Sequence, residues 1–417
     1  MPAQSSAEIR SRRNWLKSLG ITSASATVAA ASAATAGNLL LGEYCSGQDN
    51  PATQVEDRSS TIKLTRLTAT PFAAKVYLKL ETNHGITGWG EIDQLEPTAA
   101  TALAKSLWAI LEGENPTRIE HLWQKLFRAH RDMRGGPFMC HTIAGFDMAF
   151  WDIAGKLWNT PVYRLLGGPT RDKLKMYPSP KSEKAGAGPQ PFSGNPSQIE
   201  RFVEMIANAR KRVGPDGTVM FDAHCALPPP FLIQLASALK AYDLLYIEEV
   251  AVPGTIEVFK RLKEAIDIPL ATGERDRTIW EVLPYLTERC IDVLQVDCAH
   301  TGGISQIKKI ATLAEAYFVP LAPHAVTTDL GVSASLHASA AIPFFLLHEY
   351  YPSITPAGLV KKTWSVGPDG YATLPEGPGL GCEIDEKLLD ELSKTPPKRP
   401  WEWPTRGRLE DGSIADY

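Results

Sequence analysis

Acidic and histidine residues recur at near-equal intervals through the second half of the chain, each directly after a short apolar run. They are Asp222, Glu248, Glu274, Asp297, His324 and Glu349, and the successive separations are 26, 26, 23, 27 and 25 residues. A short apolar run indicates a buried parallel strand, and the interval leaves room for a loop, a helix and a loop back. Repeated strand–helix units close into a barrel whose strand ends share one mouth. The sequence therefore predicts that these side chains converge, and that a cation offsets the repulsion among the acids.

Size and composition allow two domains and exclude some partners. The chain has 417 residues, of which 44% are hydrophobic, so it can bury a large core. The net charge is −4 and no basic stripe is present, which argues against a nucleic-acid partner. The six cysteines include no CxxC pair, so they are interpreted as small core residues or free thiols rather than metal ligands.

The first 36 residues resemble a twin-arginine export signal. Arg12 and Arg13 precede an uncharged, alanine-rich stretch that ends in the small residues Ala34, Thr35 and Ala36. The stretch is too weakly apolar to span a membrane, so no membrane contact is expected once the signal is removed. We therefore predict a periplasmic protein with a signal at 1–36 and a polar linker at 37–60. The alternative is a disordered basic tail.

Residues 61–172 carry strands followed by helices, which predicts an α+β capping domain. Val76, Leu78 and Leu80 alternate on one face of a predicted hairpin, and residues 83–85 supply its turn. Helical periodicity follows at 99–111, 119–130 and 141–157. The barrel is predicted at 173–355, and the segment 356–417 is expected to return to the cap.

Four sequence motifs resemble the mandelate racemase/muconate lactonising branch of the enolase superfamily. They are AGFDMAFWDIAGK at 144–156, PVYRLLGG at 161–168, GWGE at 88–91 and GPGLG at 377–381. The resemblance covers most of the chain beyond residue 60. It implies an α/β protein with an α+β capping domain and a modified TIM-like (β/α)7β barrel.

One stretch departs from the family pattern. Residues 178–195 are rich in Pro, Gly, Ser and Lys, which predicts a loop, and only one helix (197–212) precedes Asp222. We therefore expect the second strand–helix unit of the barrel to be shortened or lost. The Lys-x-Lys pair that related racemases carry on that strand is absent, and Lys181 and Lys184 are assigned to a solvated loop.

The resemblance implies a magnesium site. Asp222, Glu248 and Glu274 match the family's metal carboxylates, and hard oxygen ligands suit Mg²⁺. Glu249 is expected to support this site rather than to ligate the ion. Arg275 could pair with a carboxylate or with the substrate. Three unrelated strand-end acids are the alternative interpretation.

The resemblance also implies acid–base residues. His324 and Asp297 match the family's His–Asp dyad, in which the carboxylate fixes the tautomer of the ring and raises its pKa, so His324 would be the base. His224 lies two residues after Asp222, which in a strand places both on one face, and it matches the general acid of acid sugar dehydratases. Glu349 matches the glutamate that hydrogen-bonds the developing enediolate.

These roles together predict a hydro-lyase. The expected reaction is the Mg²⁺-dependent dehydration of an aldonate, a small carboxylate substrate, to a 2-keto-3-deoxy acid by a homo-oligomeric enzyme; relatives commonly assemble as dimers or octamers. A racemase or epimerase needs a second base, which the missing Lys-x-Lys pair would normally supply. A non-catalytic exported binding protein is the third hypothesis. Specificity is expected from the loops at 70–75, 92–97 and 178–195.

Overall fold

The computed structural model describes residues 60–186, 192–193 and 195–395. The predicted export signal at 1–36 lies outside these residues, as does the linker up to residue 59. Within the described residues, the structure contains no helix with the length and apolar character needed to cross a membrane. The division into a cap at 61–172 and a barrel at 173–355 stays a prediction.

An antiparallel meander opens the described chain. Its strands, in spatial order, are β1 (Leu64–Phe72), β2 (Lys75–Thr82) and β3 (Thr87–Ile92). Val76, Leu78 and Leu80 are buried on one face of β2, as the alternation predicts. The predicted hairpin is confirmed.

Helices cover the buried face of this meander. They are α1 (Pro97–Trp108), α2 (Ile119–Ala129), α3 (Pro137–Leu157) and the short α4 (Val162–Leu165). Helix α1 begins with a proline behind Glu96, whose carboxylate accepts a hydrogen bond from the Ala99 amide at 2.6 Å. A Cβ on Gly90 would lie 1.8 Å from the carbonyl oxygen of Gly145. Only glycine at that position therefore lets β3 and α3 approach this closely.

The barrel is built from short parallel strands. They are β4 (Lys173–Tyr177), β5 (Ser182–Gly186), β6 (Thr218–Asp222), β7 (Ile247–Glu248), β8 (Leu270–Thr272), β9 (Val293–Leu294) and β10 (His348–Glu349). Strands β5 to β9 pair in sequence order. Leu321 forms isolated β-bridges with Leu294 and with Phe345, and β10 pairs with β4. Backbone pairing therefore continues around the barrel from β9 to β4. The predicted fold class is confirmed.

The barrel helices follow the strands. They are α5 (Ser197–Val213), α6 (Pro229–Leu239), α7 (Ile256–Ala265), α8 (Thr278–Thr287), α9 (Ile304–Ala316) and α10 (Asp329–Ala340). Every residue of α10 is buried. The other helices turn an apolar stripe, such as Phe202, Ile206 and Ala209 of α5, towards the strands.

The prediction of a loop at 178–195 is wrong for the first half of this segment. Strand β5 forms there and pairs with β6 along its whole length. The missing element is a helix between β4 and β5. A tight turn joins these two strands directly, and two backbone hydrogen bonds between Ser179 and Ser182 (2.8 and 3.1 Å) close it. The strand escaped prediction because its residues are not apolar: Ser182 is small and Lys184 belongs to the polar mouth.

The chain after the barrel contacts both earlier parts. It contains β11 (Val360–Lys362), β12 (Tyr371–Thr373), β13 (Cys382–Ile384) and α11 (Glu386–Ser393). Strand β12 pairs antiparallel with β4, opposite its pairing with β10. Helix α11 packs on β1, and Glu386 accepts a hydrogen bond from Lys79 at 2.7 Å. Both edges of the first barrel strand are therefore paired with residues near the C-terminus.

Candidate active site

Acids from three strand ends surround one lysine. The Lys184 Nζ atom lies 2.6 Å from Glu349 Oε1, 3.1 Å from Glu248 Oε1 and 3.7 Å from Asp222 Oδ2. Asp222 and Glu248 are in register on β6 and β7, so their side chains leave adjacent strands at the same level. The convergence that the spacing of the acids predicts is therefore observed for these three acids.

Lys184 is the residue that the sequence interpretation misplaced. It was assigned to a solvated loop, but its side chain is only 9% exposed and it extends from β5 into the carboxylate cluster. Burial alone would lower the pKa of Lys184, but the charges of Glu248, Glu349 and Asp222 raise it well above its ordinary value. The lysine is therefore a fixed cation among the acids.

The three candidate metal ligands influence one another electrostatically. Burial raises the pKa of Asp222 and of Glu248, and the nearby Glu274 carboxylate adds to both shifts. Glu248 Oε2 is buried and has no hydrogen-bond partner among the described residues. The ligand atoms of the three acids do not all lie within 4.8 Å of one another in the described structure. A buried carboxylate oxygen without a donor, beside Asp222 on the adjacent strand, suits a hard cation such as Mg²⁺. The residues present therefore fit this metal, and their role as its ligands remains a prediction.

His324 is held by a short hydrogen bond. Its Nδ1–H donates to Asp297 Oδ2 at 2.6 Å, and the Ala299 amide donates to the other Asp297 oxygen at 2.6 Å. The second ring nitrogen, Nε2, lies 3.7 Å from Glu274 Oε2 and 3.6 Å from Glu349 Oε2. The dyad therefore turns its free nitrogen towards the strand-end carboxylates.

Nearby charges shift the pKa values of both residues of the dyad. Burial would raise the pKa of Asp297, but the positive charge of His300 and of His324 and the hydrogen bonds it accepts hold that pKa well below its ordinary value. Burial would lower the pKa of His324, but the Glu274 and Glu349 charges and the Asp297 hydrogen bond raise it well above the ordinary value. Positive charge brought to the carboxylates would weaken that effect and favour the neutral, basic ring.

Glu349 is buried and ionised. Burial would raise its pKa, but Lys184 and His324 lower it below its ordinary value, and the Ala325 amide donates to Oε2 at 3.2 Å. A surface ion pair at Glu349 is excluded, because the side chain is fully buried.

His224 reaches the site by a different route from the one predicted. It lies beyond the end of β6 with a left-handed φ of 50°, so strand alternation does not apply to it. Its amide donates to Asp222 Oδ1 at 2.8 Å, while its 37%-exposed side chain places Nε2 4.0 Å from Glu249 Oε2. Arg275 pairs with Glu249 through both oxygens (2.7 and 3.1 Å), and burial raises the pKa of Glu249 to about 8.

A second histidine, which the sequence interpretation did not single out, adjoins the dyad. His300 Nδ1–H donates to the Glu274 carbonyl at 2.9 Å, and its ring centroid lies 5.9 Å from that of His324. Ligand atoms of Asp297, His300 and His324 lie within 4.8 Å of one another. We do not assign a metal to this trio, because a hydrogen bond already engages Nδ1 of each ring and Mg²⁺ prefers oxygen ligands.

Comparison with known proteins agrees with this geometry. Residues 170–388 match the family described as enolase C-terminal domain-like, and residues 52–167 match the mandelate racemase/muconate lactonizing enzyme N-terminal domain. The chain belongs to the mandelate racemase/muconate lactonising branch of the enolase superfamily.

Relatives within this branch include dehydratases. A D-galactonate dehydratase from Xanthomonas euvesicatoria pv. vesicatoria (strain 85-10) is 34% identical over 387 residues, which cover 85% of this chain and all of the relative. A D-galactonate dehydratase family member from Streptomyces bingchenggensis (strain BCW-1) is 31% identical, covering 84% and 96%.

Solved structures superimpose on most of the chain. A mandelate racemase/muconate lactonizing enzyme from Sulfitobacter sp. matches with a TM-score of 0.74 at 29% identity, covering 79% of this chain and 95% of that one. The 3,6-anhydro-D-galactonate cycloisomerase from Zobellia galactanivorans matches with a TM-score of 0.72 at 26% identity, covering 79% and 99%. The predictions of this family and of a hydro-lyase are confirmed, and members of the superfamily generally use Mg²⁺.

Proposed function

We propose that the protein dehydrates an aldonate to a 2-keto-3-deoxy acid, with His324 as the base. The observation that carries this proposal is the orientation of His324: Asp297 engages Nδ1, and Nε2 is free and directed at Glu274 and Glu349. A base so placed can remove the proton next to a carboxylate whose head group lies among the strand ends. The galactonate dehydratase relatives support an acid sugar as the substrate.

Removing that proton adds charge to an existing carboxylate, so positive charge must be close by. Asp222, Glu248 and Glu274 would hold Mg²⁺, which when bound would supply positive charge that stabilises the enediolate. Lys184 supplies a further cation within 2.6 Å of Glu349, and this pair can contact the enediolate oxygens from another side. Charge on the intermediate is thereby matched by groups that are already in place.

The hydroxyl group on the next carbon must then leave with a proton. We propose that His224 donates it, because its ring is partly exposed and its Nε2 lies 4.0 Å from Glu249 Oε2, while its backbone amide is fixed by Asp222. The α-proton goes to His324 Nε2, the bond between the β-carbon and oxygen breaks, and water departs. The enol left behind takes its ketone form.

The test is a screen of aldonic and aldaric acids with MgCl₂, scored for 2-keto product. We expect turnover of at least one acid, and His324→Asn should abolish both turnover and exchange of the α-proton in ²H₂O. His224→Asn should retain exchange while it loses elimination. Recovery of an inverted, deuterated acid with no keto product would instead identify a racemase. Binding without exchange by the wild type would identify a binding protein.

The raised pKa of Lys184 bears on the racemase alternative. Lys184 lies on the strand where related racemases carry their lysine pair, but it is surrounded by carboxylates that keep it protonated. A protonated amine cannot accept a proton, so Lys184 in this state does not supply the second base, and a racemase would have to use His224 in that role.

We also propose export through the twin-arginine pathway and assembly into a homo-oligomer. Replacing Arg12 and Arg13 by lysine should retain the protein in the cytoplasm, which fractionation of expressing cells would measure. Light scattering of the purified protein would give its mass in solution, and a monomer would contradict the second proposal.

A further inference from the structure

Two buried histidines, one from the cap and one from the barrel, stack on each other beside the dyad. His141 lies in α3 and His300 lies between β9 and α9; their ring centroids are 4.3 Å apart and their planes differ by 10°. His300 in turn adjoins His324, with 5.9 Å between ring centroids. The two rings therefore lie side by side between His324, the proposed base, and the capping domain.

Backbone carbonyls fix the tautomer of each ring. His141 Nδ1 donates to the carbonyl of Asp93 at 2.9 Å, and His300 Nδ1 donates to the carbonyl of Glu274 at 2.9 Å. A carbonyl oxygen can only accept, so each Nδ1 carries a hydrogen. In a neutral ring the other nitrogen, Nε2, then has a free lone pair. Burial lowers the pKa of His141 well below its ordinary value, so the His141 ring is neutral.

Neither Nε2 atom is satisfied within the described protein. His141 Nε2 and His300 Nε2 are both buried, and neither has a hydrogen-bond partner among the described residues. A buried polar atom without a partner costs roughly 5- to 160-fold in an equilibrium constant, so such atoms are normally paired. The pair thus calls for a hydrogen-bonding partner from outside the described residues.

The chemistry of that donor follows from its surroundings. Two neighbouring ring nitrogens complement hydroxyl groups, which can donate as well as accept, and the neutral His141 ring would not favour a carboxylate, which has no hydrogen to give. Their position beside His324 puts them next to whatever the dyad deprotonates. The Asp93 carbonyl that orients His141 lies in the segment at 92–97, where the sequence predicts a specificity loop.

We propose that His141 and His300 form a hydroxyl-binding subsite for the carbon chain of a polyhydroxylated acid, beyond the two carbons that react. This inference rests on the proposed function and deepens it, since the pair selects substrates with a hydroxyl at the contacted carbon. His141 and His300 act in binding and not in the proton transfers.

Substitution of each histidine by asparagine or by glutamine tests the roles of its two ring nitrogens separately. The side-chain amide of asparagine reaches the Nδ1 position and keeps the donor to the backbone carbonyl, but it has nothing at Nε2. The longer glutamine places a carbonyl oxygen near Nε2. His141→Asn should therefore lose the subsite and His141→Gln should retain much of it, and the same contrast should hold at His300.

The measurement is kcat/KM for the best acid found in the screen and for its analogues that lack one hydroxyl beyond the reacting carbons. For the wild type, removing the contacted hydroxyl should lower kcat/KM about 3- to 10-fold. For His141→Asn, the full acid should already show that loss, and removing the same hydroxyl should add nothing. His337→Asn is the matched control: this buried ring lies in α10 against Tyr163, and its loss should lower stability without changing the hydroxyl preference.

The outcomes are distinct. In one outcome, the loss caused by the variant and the loss caused by the missing hydroxyl add up at every hydroxyl, in all four His141 and His300 variants. This would show that an ordered water, and not the substrate, binds these nitrogens. It would overturn the inference while leaving dehydration intact. If the wild type dehydrates no acid, the proposed function fails, and the same comparison is made on dissociation constants from calorimetry. In that case additive losses, or no binding of any acid, would overturn the subsite as well.

Discussion

Replacing Lys184 by methionine tests whether a lysine ammonium and a divalent cation share one set of carboxylates. The Nζ atom lies 2.6, 3.1 and 3.7 Å from oxygens of Glu349, Glu248 and Asp222. With an effective dielectric constant of ~20, these distances correspond to gross attractions of about 6, 5 and 4 kcal/mol. The cost of desolvating the charges offsets most of this sum. Removing one partner of a buried ionic group has a net cost of about 3–5 kcal/mol, because it leaves uncompensated charge.

The expected result therefore depends on the metal. In EDTA, the Lys184→Met variant should lose about 3–5 kcal/mol of unfolding free energy. MgCl₂ should restore more stability to the variant than it adds to the wild type, since the ion no longer meets a fixed positive charge. A tenfold tighter dissociation constant would add about 1.4 kcal/mol at saturating metal.

Thermal and urea unfolding in EDTA and in a series of MgCl₂ concentrations measure both effects without any substrate. Lys181→Met is the matched control, because this exposed lysine lies three residues away in the turn before β5. It should leave both the stability and the response to MgCl₂ unchanged. An equal response of the Lys184→Met variant and the wild type to MgCl₂ would refute the idea that the ion and the ammonium compete.

Two further predictions concern how α3 packs against its neighbours. Burial raises the pKa of Asp147 to about 7, above its ordinary value, so its ionisation costs nothing below about pH 4 and costs most above pH 7. The Asp147→Asn variant should therefore gain stability relative to the wild type as pH rises through this window, by at most about 4 kcal/mol; a difference in urea unfolding that is constant with pH would contradict this. Gly90→Ala should cost about 3 kcal/mol or more by the same assay, because its Cβ would lie 1.8 Å from the Gly145 carbonyl. Gly85→Ala, where nothing lies within 4 Å, should cost only about 1 kcal/mol of backbone strain.

The barrel and its acids were predictable because buried parallel strands are apolar on both faces. Asp222 and Glu248 each end such a run, so the sequence located the strand ends to the residue. Strand β5 has no such run, because Lys184 and the small Ser182 lie among its residues. A strand whose composition is dictated by the active site looks like a loop when only its hydrophobicity is considered.

Other features could not be predicted because they depend on tertiary geometry. His224 departs from strand alternation through a left-handed backbone, and its sequence gives no glycine to announce one. His141 and His300 stack across 159 residues of chain, a contact that no local pattern encodes. The residues of the dyad lie at the ends of apolar runs and were found, whereas those on the cap and in the loops were not.

The pairing of β4 has a consequence for biosynthesis. Its two neighbours, β10 and β12, lie about 172 and 198 residues further along the chain. At translation rates of about 5–20 residues per second, this strand leaves the ribosome roughly 10–40 s before either partner exists. Throughout that interval a nascent chain carries two open strand edges, which are sites for pairing with other chains. Slower elongation through the region encoding 178–347 would lengthen the exposure, so the yield of soluble protein should depend on codon choice there.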